Sequence, residues 1–79
     1  MRLEIYSLQK SLFNAEILSV VCPTEAGEIA ILPNHHPLIS ILKEGVVKVK
    51  DKEEKEHFFQ VKSGFIEISP EHNIRLIVE

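Results

Sequence analysis

Turn-forming residues cut this chain into short pieces, and that spacing constrains its fold more than any other feature. Glycine, proline and small polar residues cluster at 9–11, 23–27, 33–37, 43–45, 51–56, 62–64 and 70–73. The segments between them are apolar and mostly alternate with period two, the signature of half-buried strands. Leu3 and Ile5 share one side of segment 2–7, Val47 and Val49 one side of 46–50, and Ile66 and Ile68 one side of 65–69. Phe59 and Val61 share a face of 57–61, with Phe58 and Gln60 on the other, and 74–78 closes the chain. Segment 28–32 is a further short strand, and 38–42 is either a strand or a single helical turn. Segment 12–22 is too long and too mixed in parity for one flat strand, so it predicts a bulge. If Leu12 points inward there, Phe13 points outward as a contact residue. No segment reads as a helix of ten or more residues. The expected class is all-β: one domain over 1–79, an antiparallel β-sandwich or flattened barrel of about eight to ten short strands.

At 79 residues the chain is near the lower limit for a self-sufficient hydrophobic core. Its formal charge of −3 and the interleaving of Lys52 and Lys55 with Glu53, Glu54 and Glu56 leave no basic patch for nucleic acid. The single cysteine, Cys22, forms no internal disulfide, fits a reducing compartment and reads as a half-buried thiol at a strand end. No apolar run approaches the roughly 20 residues that span a bilayer. Direct membrane insertion is therefore not expected, and the N-terminus enters the first strand without a signal-like segment.

The least ordinary stretch is Gly27-Glu28-Ile29-Ala30-Ile31-Leu32-Pro33-Asn34-His35-His36-Pro37-Leu38. Pro33 and Pro37 fix φ and remove backbone donors, while Asn34 tolerates positive φ, so a stiff exposed corner is expected. Adjacent residues in extended backbone point to opposite sides, so His35 and His36 do not share one metal ion. His57 and His72 stand beside turns with no cysteine or carboxylate at ligand spacing, and no metal site is expected. No nucleophile elbow surrounds Ser40 or Ser63, and Gly27, Gly45 and Gly64 are too far apart for a phosphate loop. The sequence thus predicts no catalytic residues, no nucleotide site and no cofactor. Phe13, Ile29, Leu38 and Phe65 are either core or an exposed patch for a partner protein.

The same stretch resembles the G-E-L/I-G-I-L/Y-P-G-H-A/S-P-L segment of the ε subunit of the F-type ATP synthase. Lys43-Glu44-Gly45 before Val46-Val47, and Val61-Lys62-Ser63-Gly64-Phe65-Ile66-Glu67-Ile68, extend the likeness along the chain. It covers the family's N-terminal β domain. Ala30 departs from the second glycine of the pattern, Asn34 from its third, His36 from a small residue, and Ser63 from a glycine pair. The resemblance implies a non-catalytic rotor subunit that docks on the γ subunit and touches the polar loops of the c-ring. It places Gly27, Glu28 and Ile29 against the c-ring, and His35, Pro37, Leu38, Ser40, Ser7 and Glu67 towards γ. It also implies a peripheral location on the cytoplasmic face of the bacterial inner membrane. Family members usually continue into a helical hairpin that inhibits ATP hydrolysis and, in some bacteria, binds ATP. The 79 residues hold no such segment, so neither property is expected of this chain. The competing reading is a stand-alone β-sandwich adaptor or ligand-binding module.

Overall fold

A computed structural model describes residues 1–34 and 36–79. Eight strands follow the turn spacing closely: β1 Arg2–Tyr6, β2 Ser11–Thr24, β3 Gly27–Ile31, β4 Leu38–Leu42, β5 Gly45–Asp51, β6 Glu56–Val61, β7 Gly64–Ile68 and β8 Asn73–Val78. Segment 38–42, left open between strand and helical turn, is a strand because β7 offers it a complete antiparallel partner.

β2 organises the molecule. Fourteen residues at about 3.3 Å each would run to roughly 45 Å, yet the molecule is only 26 Å in its longest dimension. The strand therefore curls. Its first part pairs with β1, its middle with β5, and its last residues with β3 and β4. The register against β5 slips between Ile17 and Ser19, which is the bulge that the mixed parity predicts. One layer carries β4, β7, β8, β1 and the start of β2, and the other carries β3, the end of β2, β5 and β6. All ladders are antiparallel except β1 against β8, so the expected all-antiparallel arrangement is corrected at one place. The first and last strands run side by side in the same direction.

The core fills the space between these layers with aliphatic side chains of the inward parity. Leu3, Ile5, Val20, Ile31, Val47, Val49, Ile66, Ile74 and Leu76 are fully or almost fully covered. Burying each such side chain stabilises the fold by about 1.5–3 kcal/mol. Cys22 belongs to this core and is completely buried, deeper than its expected strand-end position. Burial disfavours the thiolate and pushes its pKa up to about 12.

Two local expectations are corrected. Pro23 and Thr24 do not begin the turn; they finish β2, opposite Glu28 and Gly27. Pro23 is tolerated near the strand end, where its carbonyl accepts the Lys43 N–H at 2.8 Å. Phe13 points inward and Leu12 outward, the reverse of the parity considered from the sequence. Phe13 pairs with the buried Ile5, and its ring meets Phe59 and His57 edge-on at 5.8 and 5.2 Å. Asn34 adopts the positive φ (71°) that the proline-bounded corner requires, as Glu54 and His72 do in their own turns.

Candidate functional site: an exposed tip and an apolar sheet face

The turn between β2 and β3 is a braced tip. Thr24 is buried, and its Oγ1 donates to the Gly27 carbonyl at 2.6 Å and accepts the Ala26 N–H at 3.2 Å. Glu25 N–H donates to the Ile41 carbonyl at 3.2 Å, which ties the tip to the end of β4. Gly27 has φ +111° with open space around it, and Glu28 is exposed beside it. Ile29 has the opposite orientation and packs partly against the core. The result is a rigid projection that offers Glu25, Gly27 and Glu28 to a partner and anchors itself through Thr24 and Ile29. Sequence reasoning passed over Thr24. The signal was present, since a threonine three residues before a glycine in a turn is a side-chain-closed reversal.

The outer face of the β4–β7–β8–β1 layer is the second candidate. Cross-strand registers align Ile41 with Phe65, Phe65 with Ile77, and Ile77 with Tyr6. This makes one apolar row across four strands. Ile39 and Ile41 are 73% and 58% exposed, far more than scattered surface aliphatics require. The neighbouring row is polar: Glu67 opposite Arg75, and Arg75 opposite Glu4. Arg75 Nη1 lies 3.9 Å from Glu67 Oε1, a loose ion pair in solvent worth little to stability. Tyr6 donates its hydroxyl to Glu4, and that hydrogen bond leads the causes that raise the phenol pKa.

The residues singled out in the sequence distribute unevenly over these surfaces. Glu67 is on the outer face, and Pro37 is exposed at the corner. Leu38 and Ser40 have the inward parity, opposite Ile68 and Ile66, and are half-buried. The outward members of β4 are their neighbours Ile39 and Ile41, which alternation alone did not single out. Ser7 shapes the β1–β2 turn, where its Oγ accepts the N–H groups of Gln9 and Lys10 at 3.2 Å. His35 lies outside the described residues. Phe65 is on the exposed side, whereas Phe13, Ile29 and Leu38 pack against the core.

Chemistry of other kinds has little purchase here. His57 Nε2 lies 2.8 Å from Asp51 Oδ2 in the β5–β6 hairpin. That hydrogen bond, with backbone N–H groups of Lys55 and Glu53, holds the Asp51 carboxyl below its usual range. Among the described residues no three His, Cys, Asp or Glu side chains converge as a metal cage. Among the same residues no helix is long and apolar enough to cross a membrane.

The chain matches the family described as "ATP synthase, Delta/Epsilon chain, beta-sandwich domain" over residues 1–79. It is 40% identical over 75 residues to the ATP synthase epsilon chain of Dichelobacter nodosus, covering 95% of this chain and 52% of that protein. It is 33% identical over 79 residues to the epsilon chain of Alkalilimnicola ehrlichii, covering all of this chain and 56% of that one. The chain thus spans about half the length of the curated relatives it matches. Among solved structures, a chain of the Euglena gracilis mitochondrial ATP synthase superposes with TM-score 0.90 at 17% identity, covering 96% of this chain and 48% of that one. A chain of the Tetrahymena thermophila mitochondrial ATP synthase central stalk and c-ring superposes with TM-score 0.83 at 13% identity, covering 99% and 62%. At those identities the superpositions establish the fold.

Proposed function

Because the chain belongs to the ATP synthase delta/epsilon β-sandwich family, we propose that it is a non-catalytic element of the central rotor, joining the γ subunit to the c-ring. The observation that carries this reading is the apolar row Ile41–Phe65–Ile77–Tyr6, with Ile39 beside it. A row of large exposed side chains on a rigid sheet supplies affinity, and the adjoining Glu67–Arg75–Glu4 row supplies register. In this proposal that face meets γ, with Glu67 and the Pro37 corner at its margin. Leu38, Ser40 and Ser7 act beneath it as supports, and His35 is kept as a candidate contact from the sequence alone.

The braced β2–β3 tip takes the other side of the joint. Gly27 and Glu28 face the polar loops of the c-ring, and Ile29 fixes the tip to the core. A stiff projection suits this task, because movement within the joint would dissipate the rotation it transmits. No residue on either surface is assigned to bond-making, and the catalytic work of the assembly lies elsewhere. The chain then sits at the membrane peripherally, on the cytoplasmic face in a bacterium, held there by its partners.

Binding of the purified chain to its cognate γ subunit, followed by calorimetry, tests the reading. Wild type is expected to bind, and Ile41→Glu to weaken binding by at least about 30-fold, the scale of a 2 kcal/mol interface anchor. Ile41 is exposed, so this change leaves the fold intact, which circular dichroism checks. Glu28→Lys is expected to leave γ binding unchanged and to reduce assembly onto the c-ring. Absence of γ binding by the wild-type chain at micromolar concentrations would favour the free-standing adaptor reading.

A further inference from the structure

The tip and the apolar row meet inside the fold at a single rung. Among the described residues β2 and β4 pair at one position, Thr24 opposite Leu42, and both side chains are buried there. Two backbone bonds flank it: Lys43 N–H donates to the Pro23 carbonyl at 2.8 Å, and Glu25 N–H to the Ile41 carbonyl at 3.2 Å. The rung thus joins the layer that carries the tip to the layer that carries the row. Pro23 closes the joint from the β5 side, where a Cβ added to Gly45 would lie only 3.0 Å from its ring.

The Ile41 carbonyl is the informative atom. In a strand the N–H and C=O of one residue point to the same side, and successive residues point to opposite sides. A carbonyl bonded to Glu25 therefore points away from β7, which makes Ile41 and Phe65 a non-hydrogen-bonded pair. Ser40 and Leu42 bond β4 to β7, while Ile41, at the end of the apolar row, has its carbonyl held by the tip. On the tip's side Thr24 sets where the Glu25 N–H lies. Its Oγ1 spans the turn, donating to the Gly27 carbonyl and accepting the Ala26 N–H.

We infer that this rung couples the tip to the apolar row, with Thr24 as its positioning residue, so that ordering one surface orders the other. The consequence for binding rests on the reading that the two surfaces take two different partners. With the rung closed, Gly27, Glu28 and Ile41 all hold their places. With it open, Glu25 and Ile41 lose their shared bond and neither surface is fixed. A partner on either surface binds the closed form better, and linkage then makes each raise the affinity for the other.

Amide exchange by NMR on the intact chain tests this in wild type, Thr24→Val and Thr24→Ser. Valine keeps the shape of threonine without its hydroxyl, and serine keeps the hydroxyl. Thr24→Val is expected to speed the Glu25 and Lys43 amides at least about tenfold, the scale of one or two lost hydrogen bonds. It is also expected to loosen the Ile41 δ1-methyl in relaxation measurements, and Thr24→Ser to keep both near wild type. The Leu76 amide, central in the first layer, is expected to stay slow in all three, which separates opening of the rung from loss of the fold. A faster Ala26 amide with Lys43 and the Ile41 methyl unchanged would overturn the inference, by confining Thr24 to its own turn. So would a Leu76 amide that speeds in step with Lys43, or a serine variant that behaves like valine. These arms use the chain alone, so they decide the coupling whether or not γ binds. Saturating γ is then expected to slow the Glu25 amide at least about tenfold, although it covers only the row. Bound γ without that slowing would overturn the coupling, whereas failure of γ to bind would count against the rotor reading alone.

Discussion

Replacing Gly64 by alanine probes a close backbone approach between β7 and β8. Gly64 opens β7 opposite Val78 with φ +146°, a conformation L side chains rarely adopt. A Cβ built there would lie 2.1 Å from the Ile77 carbonyl oxygen and 2.9 Å from Val78 Cα. Both obstacles are backbone, so no rotamer change relieves them. Restoring ordinary C···O contact at about 3.3 Å moves β8 away by roughly 1 Å. Beside this point Glu79 N–H donates to the Ser63 carbonyl and Lys62 N–H to the Glu79 carbonyl, each at 3.0 Å. Two such bonds are worth about 2 kcal/mol net, and the backbone strain adds about 1–3 kcal/mol. The expected loss is therefore about 3–5 kcal/mol, against a total of roughly 4–12 kcal/mol for a domain this size. Gly27→Ala is the matched control: its φ is also positive (+111°), but nothing lies within 4 Å of the added Cβ. Only the strain of about 1–3 kcal/mol applies to it. Urea unfolding followed by circular dichroism and extrapolated linearly measures both variants. If the two losses agree within about 0.5 kcal/mol, close approach at Gly64 is not what limits this position.

Two pH-linked predictions follow from the hairpin and the core. Asp51 has its folded pKa lowered, first by the His57 hydrogen bond, so its stabilisation is present above the ordinary carboxylate range. It is lost as pH falls through that range to the lowered folded value; a stability gap between wild type and Asp51→Asn that stays constant with pH would refute this. Cys22 carries a pKa of about 12, so near neutral pH the native thiol has roughly a thousandfold less thiolate than an exposed cysteine. Alkylation by iodoacetamide should be correspondingly slow until urea unfolds the chain, and rapid labelling of the native state would contradict the burial. The same shift has the opposite pH sense to Asp51: the unfolded thiol releases its proton first, so stability declines as pH rises above the ordinary thiol value towards 12.

Period-two alternation made most of this fold legible. Strand positions, the inward parity of Leu3, Ile5, Val47, Val49, Ile66 and Ile68, and the bulge in β2 all follow from it. It failed at Phe13 because segment 12–22 has apolar residues of both parities. Only the β1 register, which sets Ile5 against Phe13, decides between them. The parallel pairing of β1 with β8 was equally hidden, since alternation gives a strand's faces and not its neighbours. Among the candidate surfaces, the tip at Gly27–Glu28 was visible as a turn. The apolar row was not, because Ile41, Phe65, Ile77 and Tyr6 come from four strands and become one surface only when the registers are known.

The side-by-side course of β1 and β8 also sets how the domain answers a pull. Five rungs join them, from Arg2 with Asn73 to Tyr6 with Ile77. Because the strands are parallel, the chain enters this pair at one end and leaves it at the other. Tension between Met1 and Glu79 therefore slides the strands lengthwise and loads every rung at once. An antiparallel hairpin pulled from its open end would instead yield rung by rung, like a zip. A pull applied across β1 and β8 in this direction meets all five rungs together instead of one after another.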